Sequence, residues 1–252
     1  MANIYTKEWE ISDIKTILVD KDGTFLDSDY YWGKLAELRV LKLIEYFGLT
    51  KNLYELLCFA IGYNPTTVKL TPNSAIGLYS RDEVISLMVD ELRKYEVITT
   101  FEKISELFFD VHNKFYADLQ KYTKAIRGAQ DFFERAKKNN INLTVVTSDT
   151  HSHAVKTIEY LGFSKYFDLI IGKDDCTQPK KTGEPALIAL NKLNEIAENT
   201  ISLGDAPMDA QMANNAELKG SILVSTGQMQ IEDLKKYSNY TVENLDKIMF
   251  KI

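Results

Sequence analysis

The sequence predicts an α/β fold: a doubly wound parallel sheet whose first strand is split from the others by an inserted all-helical domain. Three observations carry this reading. From residue 141 onward, short apolar segments alternate with amphipathic segments of helical period. A lone apolar segment, Ile17–Val19, stands near the N-terminus and ends on an acid. Between them, residues 28–124 keep a helical period with no strand–helix alternation.

Taken in order, the first strand runs to Asp20. The insert follows with four helical stretches, "YWGKLAELRVLKLIEYFGL", "NLYELLCFAIGY", "SRDEVISLMVDELRKYE" and "TFEKISELFFDVHNKFYADLQKY". A turn-rich piece, "NPTTVKLTPNS" (64–74), interrupts them. The second half then reads strand 141–147, helix 153–163, strand 167–172, helix 184–197, strand 200–204, helix 206–216 and strand 221–225. The expected domains are therefore residues 1–27 with 125–252, and residues 28–124.

Composition excludes several classes. The 252 residues are 45% hydrophobic and 26% charged, as in an ordinary globular chain. A net charge of −6 gives no basic surface for nucleic acid or an anionic membrane. The two cysteines, Cys58 and Cys176, have neither metal-like nor disulfide-framework spacing. "MANIYTKEWEISDIK" lacks a basic region followed by an apolar one, and no apolar run approaches the roughly 20 residues of a membrane span. The expectation is a cytoplasmic protein, monomer or homodimer.

In an open parallel sheet, ligands bind beyond the carboxyl ends of the strands. Asp20 and Asp22 follow the first strand, and Thr147 and Ser148 follow the strand 141–147. Lys180 and Lys181 lie in the loop after the strand 167–172, and Gly204, Asp205 and Asp209 follow the strand 200–204. Clustered carboxylates repel one another and any phosphate, and a hard divalent cation relieves both problems. A hydroxyl, backbone N–H groups and a lysine can hold phosphate oxygens. Gly23 lets the chain turn sharply after the acids. These parts suit phosphoryl transfer.

The four segments "DKDGT", "VVTSD", "KKTGEP" and "GDAPMD" resemble, in order and spacing, the four motifs of the haloacid dehalogenase superfamily. The resemblance spans the Rossmann-like core, and the insert resembles that superfamily's C1 cap. "FLDSDYYWGKL" and "IGYNPTTVKLTPNSAIG" are similar to its phosphoglycolate-phosphatase-like members. It implies a Mg²⁺-dependent phosphatase acting on a small phosphorylated metabolite through an aspartyl-phosphate. Asp20 would be the nucleophile and a metal ligand. Asp22 would be the general acid/base, its carbonyl also on the metal. Thr147 and Ser148 would hold phosphate, and Asp205 the metal, with Asp209 in support.

The lysine register stays open. Counting back from Pro185 puts the motif lysine at Lys180, with Lys181 where the family pattern often has proline. Other groups read as structural first: Asp149, His151 and His153 as polar groups at a helix start rather than a second metal site, Arg81 and Arg127 as surface charges. Tyr30, Tyr31 and Trp32 either pack the insert or line a cleft. Two further readings compete: a sugar-phosphate mutase of the same superfamily, and a catalytically silent ligand-binding relative.

Overall fold

The computed structural model describes residues 1–71 and 74–252. Pro72 and Asn73, part of the turn-rich stretch, lie outside the described residues. The chain forms two compact units, Met1–Asp27 with Lys124–Ile252, and Ser28–Thr123. In chain order the strands are β1 (Ala2–Tyr5), β2 (Glu10–Ile14), β3 (Thr16–Val19), β4 (Tyr63–Asn64), β5 (Lys69–Leu70), β6 (Asn142–Val146), β7 (Leu169–Ile171), β8 (Thr200–Gly204), β9 (Gly220–Val224), β10 (Tyr240–Val242) and β11 (Met249–Lys251).

The first unit is built on a parallel six-stranded sheet in the order β10-β9-β8-β3-β6-β7. The strand order reverses around β3, which makes its carboxyl end a topological switch point. Alternation along β3 explains why it sits there. Ile17 and Val19 pack into one core, with Phe132, Phe133 and Ile158 of the helices Ala129–Lys138 and His151–Tyr160. Leu18 points into a second core, with Ala186, Ala189, Met212 and Ala213 of the helices Glu184–Leu193 and Pro207–Asn215. A strand buried on both faces must be apolar throughout, and "TILV" is fully buried at all four positions.

Several elements lie outside the sequence reading. Helix Ala129–Lys138 fills the gap before residue 141. Strand β10 adds an edge to the parallel sheet. The N-terminal hairpin β1–β2 pairs with β11 in a separate antiparallel sheet. Ile4, Ile11 and Ile14 of that hairpin face the first core cluster.

In the second unit the helices have recognisable stops and starts. Ser80 caps Arg81–Arg93 through a reciprocal pair with Glu83: the Glu83 N–H donates to Ser80 Oγ at 3.3 Å, and the Ser80 N–H to Glu83 Oε2 at 2.7 Å. Thr100 caps Phe101–Ala117 by accepting from the Lys103 N–H at 3.3 Å. Helix Leu53–Ile61 ends at Gly62, φ +96°, whose N–H returns to Cys58 and Phe59 carbonyls. The insert is not wholly helical. Asn64 Oδ1 accepts from the Thr66 and Thr67 N–H groups, and this turn closes the short antiparallel pair β4–β5. Tyr31 is buried edge-on to Phe115 at 5.1 Å, and the Tyr30 hydroxyl donates to the Lys121 carbonyl at 3.2 Å. Both take part in the packing of the insert itself.

Candidate active site

The site begins at the end of β3. The Asp20 N–H donates to the Leu203 carbonyl at 2.8 Å, so the β3–β8 ladder continues one residue past the strand and fixes where Asp20 leaves it. The chain then folds back on itself: the Phe25 and Leu26 N–H groups both reach the Lys21 carbonyl, and the Gly23 N–H reaches the Leu26 carbonyl. Gly23 takes φ +79°, and a Cβ there would collide with the Asp205 carboxylate. A Cβ on Gly227 would strike the same carboxylate. The loop carrying Gly227 is tied in by Thr226, whose hydroxyl donates to the Gly23 carbonyl at 2.6 Å.

One half of the site centres on Lys180. It sits in a single turn, Lys180–Thr182, and is buried. Its ammonium pairs with Asp20 Oδ1 at 2.5 Å and Asp209 Oδ1 at 2.6 Å. Lys181 is exposed, and its carbonyl accepts from Asn215 Nδ2 at 2.8 Å. The geometry therefore puts Lys180, not Lys181, against the acids. Asp209 serves two purposes. It lies in the first turn of helix Pro207–Asn215 and its Oδ2 accepts from the Ala206 N–H at 3.1 Å, while its other oxygen holds Lys180. The Thr24 hydroxyl lies 3.3 Å from Asp20 Oδ2 and 3.5 Å from Asp205 Oδ1, bridging the two acids.

The other half centres on Lys21, the residue between the two motif acids. Its side chain is wholly buried, and its ammonium pairs with Asp22 Oδ2 at 2.7 Å and Asp149 Oδ2 at 3.2 Å. Asp149 Oδ2 also contacts Nδ1 of buried His153, and Asp149 Oδ1 accepts from the Thr150 N–H at 2.8 Å. Burial opposes the charges here, but the partners outweigh it. Asp149 is held well below the usual carboxylate range by His153 and Lys21, and Lys21 above its ordinary value by Asp22 and Asp149. His151 turns elsewhere, to Asp175 at 2.7 Å.

The donor chemistry around Lys180 fits a divalent cation. Carboxylate oxygens of Asp20, Asp205 and Asp209 lie within 4.8 Å of one another. Three carboxylates gather around one ammonium, which pairs with Asp20 and Asp209 and leaves Asp205 without an ion-pair partner among the described residues. Burial, with Asp209 and Asp22 nearby, pushes Asp20 up to about 7 despite the opposing pull of Lys180. Burial, with Asp20 and Asp209, pushes Asp205 well above its ordinary value. Hard oxygen donors with a deficit of positive charge are what Mg²⁺ takes.

Thr147 directly follows β6, the strand beside β3. Its N–H donates to the Ile171 carbonyl at 3.0 Å, and its hydroxyl oxygen accepts from the Asp149 N–H at 3.2 Å, so its own proton is available to a phosphate oxygen. Ser148 is exposed, with its hydroxyl 3.7 Å from Met208 Sδ. Thr147, Ser148 and Lys180, together with Lys173, Thr177 and Gln178, line a cavity of about 310 Å³. Lys21, Thr24, Thr226 and Gly227 belong to the site without a role in the sequence reading. The unusual lysine inside "DKDGT" was a visible signal for the first; nothing local marks the last two.

The profile of the family described as haloacid dehalogenase-like hydrolase matches residues 66–223. That span contains Thr147, Lys180, Asp205 and Asp209; Asp20 and Asp22 precede it. The chain is 25% identical over 237 residues to the pyrophosphatase PpaX of Oceanobacillus iheyensis, covering 94% of this chain and 95% of that one. It is 26% identical over 210 residues to a phosphoglycolate phosphatase of Aquifex aeolicus, covering 83% and 84%. A crystal structure of a HAD-superfamily hydrolase, subfamily IA, variant 1, from Geobacter sulfurreducens PCA superposes with a TM-score of 0.65 at 16% identity, covering 92% and 93%, a likeness of fold. With more than half its length matched by the family profile and its acids gathered at the switch point of the sheet, the chain belongs to the haloacid dehalogenase-like hydrolases.

Proposed function

We propose that the protein is a Mg²⁺-dependent phosphatase that hydrolyses a small phosphomonoester through an aspartyl-phosphate on Asp20. The observation that carries this reading is the joint grip of Lys180 on Asp20 and Asp209, with Asp205 completing an acidic cluster at the end of β3. An Asp20 oxygen attacks phosphorus, and the phosphoryl group passes to it as the alcohol leaves. Lys180 offsets charge on the nucleophile and the incoming phosphate, and the Thr147 hydroxyl donates to a phosphate oxygen. Asp22 gives its proton to the leaving oxygen, then takes one from the water that hydrolyses the aspartyl-phosphate. When bound, Mg²⁺ supplies neutralising charge for the transferring group, with Asp20, Asp205 and the Asp22 carbonyl to hold it and Asp209 in support.

The preferred substrate class is a phosphoglycolate-like small acid, as for the Aquifex relative. Pyrophosphate is the second reading, favoured by the near full-length match to the Oceanobacillus protein. The test is phosphate release from a panel of phosphorylated metabolites, phosphoglycolate and pyrophosphate included, with Mg²⁺ and with EDTA. Turnover that requires Mg²⁺ and leaves acid-quenched phosphoprotein supports the reading. Full turnover after EDTA treatment and dialysis would remove the metal from it, and transfer of the phosphoryl group to a sugar rather than to water would favour the mutase.

A further inference from the structure

Lys21 is the least expected residue of the site. A lysine stem has many rotamers and a strongly hydrated head, so a wholly buried one needs fixed partners. Here they form a chain. His153 and the Thr150 N–H fix Asp149, Asp149 holds the Lys21 ammonium, and the same ammonium holds Asp22 Oδ2. The chain ends on a single oxygen of Asp22. The other, Oδ1, is buried and has no hydrogen-bond partner among the described residues. One oxygen is pinned and the other is left for a reacting group.

We propose that Lys21 is a positioning residue for the Asp22 carboxylate, and that Asp149 and His153 serve the reaction by holding Lys21 in place. The inference rests on the reading of Asp22 as the group that moves the proton. A buried ion network is weak evidence for stability in itself, because desolvation offsets the attraction. This one reaches from helix His151–Tyr160 to the end of β3 and terminates on Asp22, two residues from Asp20. Without Lys21, Asp22 keeps its chemistry but loses its fixed orientation toward the leaving oxygen. The loss should therefore scale with how much the leaving group needs a proton.

The experiment compares kcat/KM of Lys21→Met and wild type on p-nitrophenyl phosphate and on a simple alkyl phosphate. This constant reports the steps through departure of the leaving group. Nitrophenolate leaves with little help; an alkoxide does not. We expect Lys21→Met to lower kcat/KM about 100-fold on the alkyl phosphate and less than about 5-fold on the nitrophenyl ester, with KM little changed. Added to Asp22→Asn, it should cost less than about 3-fold more, because both act at one point. Equal losses on both substrates, or losses that multiply with those of Asp22→Asn, would overturn the proposal while leaving the phosphatase reading intact. Wild type inactive on both substrates would remove that reading, and the proposal with it. Should circular dichroism show that Lys21→Met does not fold, Asp149→Asn keeps the shape and loosens the anchor. The same substrate pattern at about 10-fold is then expected, and its absence is decisive.

Discussion

Asp20 and Asp22 stand one residue apart, yet they face opposite electrostatic surroundings. Around Asp20, three carboxylates cluster beside the single ammonium of Lys180, and burial drives Asp20 and Asp205 toward their neutral forms. On the far side, Lys21 stands between Asp22 and Asp149, with His153 behind, and Asp149 is pulled strongly toward its charged form. The first region has one ammonium for three carboxylates; in the second, Lys21 and His153 face Asp22 and Asp149. The difference fits the two roles proposed for one residue type. A carboxylate short of cations is poised to accept a metal and a phosphoryl group. One held by a buried lysine keeps a fixed direction.

The sharpest way to break this comparison is at Asp20. Asp20→Asn preserves shape and should lower kcat by roughly 10⁴-fold or more on every substrate, because the amide cannot carry the phosphoryl group. Its thermal transition should survive, since one like charge leaves a crowded cluster. Substantial remaining turnover would place the nucleophile elsewhere. A smaller effect belongs to the lysine that faces it. Lys180→Ala should cost about 10²- to 10³-fold in kcat/KM, and exposed Lys181→Ala less than about 2-fold. The reverse order would shift the register by one residue.

The smallest effect is thermodynamic and separates the two regions by pH. In EDTA, Asp20 has a folded value of about 7 against an ordinary 3.8, so between those values the folded state binds a proton that the unfolded chain has released. Stability must then rise as pH falls through this range, and fall as it rises. Asp149 has the opposite sign: its stabilising effect is present above the ordinary carboxylate value and is lost as pH drops below it. The melting temperature in EDTA should thus be higher near pH 5.5 than near pH 7.5 by a few degrees, and decline in stronger acid. Saturating Mg²⁺ should reverse the first slope. A steady decline in EDTA from pH 7.5 to 5.5 would contradict the charge deficit assigned to the Asp20 side.

Much of this was legible in the sequence because strand ends in a parallel sheet converge. Asp20, Thr147 and Asp205 each follow an apolar run, and their meeting needs only the topology of β3, β6 and β8. Helix Ala129–Lys138 escaped because it follows the insert with no strand before it to set the alternation. The hairpin β1–β2 and its partner β11 escaped because pairing between opposite ends of a chain leaves no local trace. The lysine register needed tertiary packing: both side chains are basic, and only the turn at Lys180–Thr182 decides which one points inward. Asp149 and His153 form an ordinary i, i+4 spacing, and their link to Lys21 across the sheet edge is long-range.

The placement of β3 also has a consequence for synthesis. The strand that ends at Asp20 leaves the ribosome before both of its neighbours in the sheet, residues 142–146 and 200–204. At about 5–20 residues per second, many seconds pass between the emergence of "TILV" and the arrival of its second partner. Throughout that interval a strand apolar on both faces has unpaired edges. Residues 28–123, which form a compact unit of their own, are complete well before that. The nascent chain therefore carries β3 as a vulnerable stretch until residues 200–204 arrive, made well before either strand that encloses it.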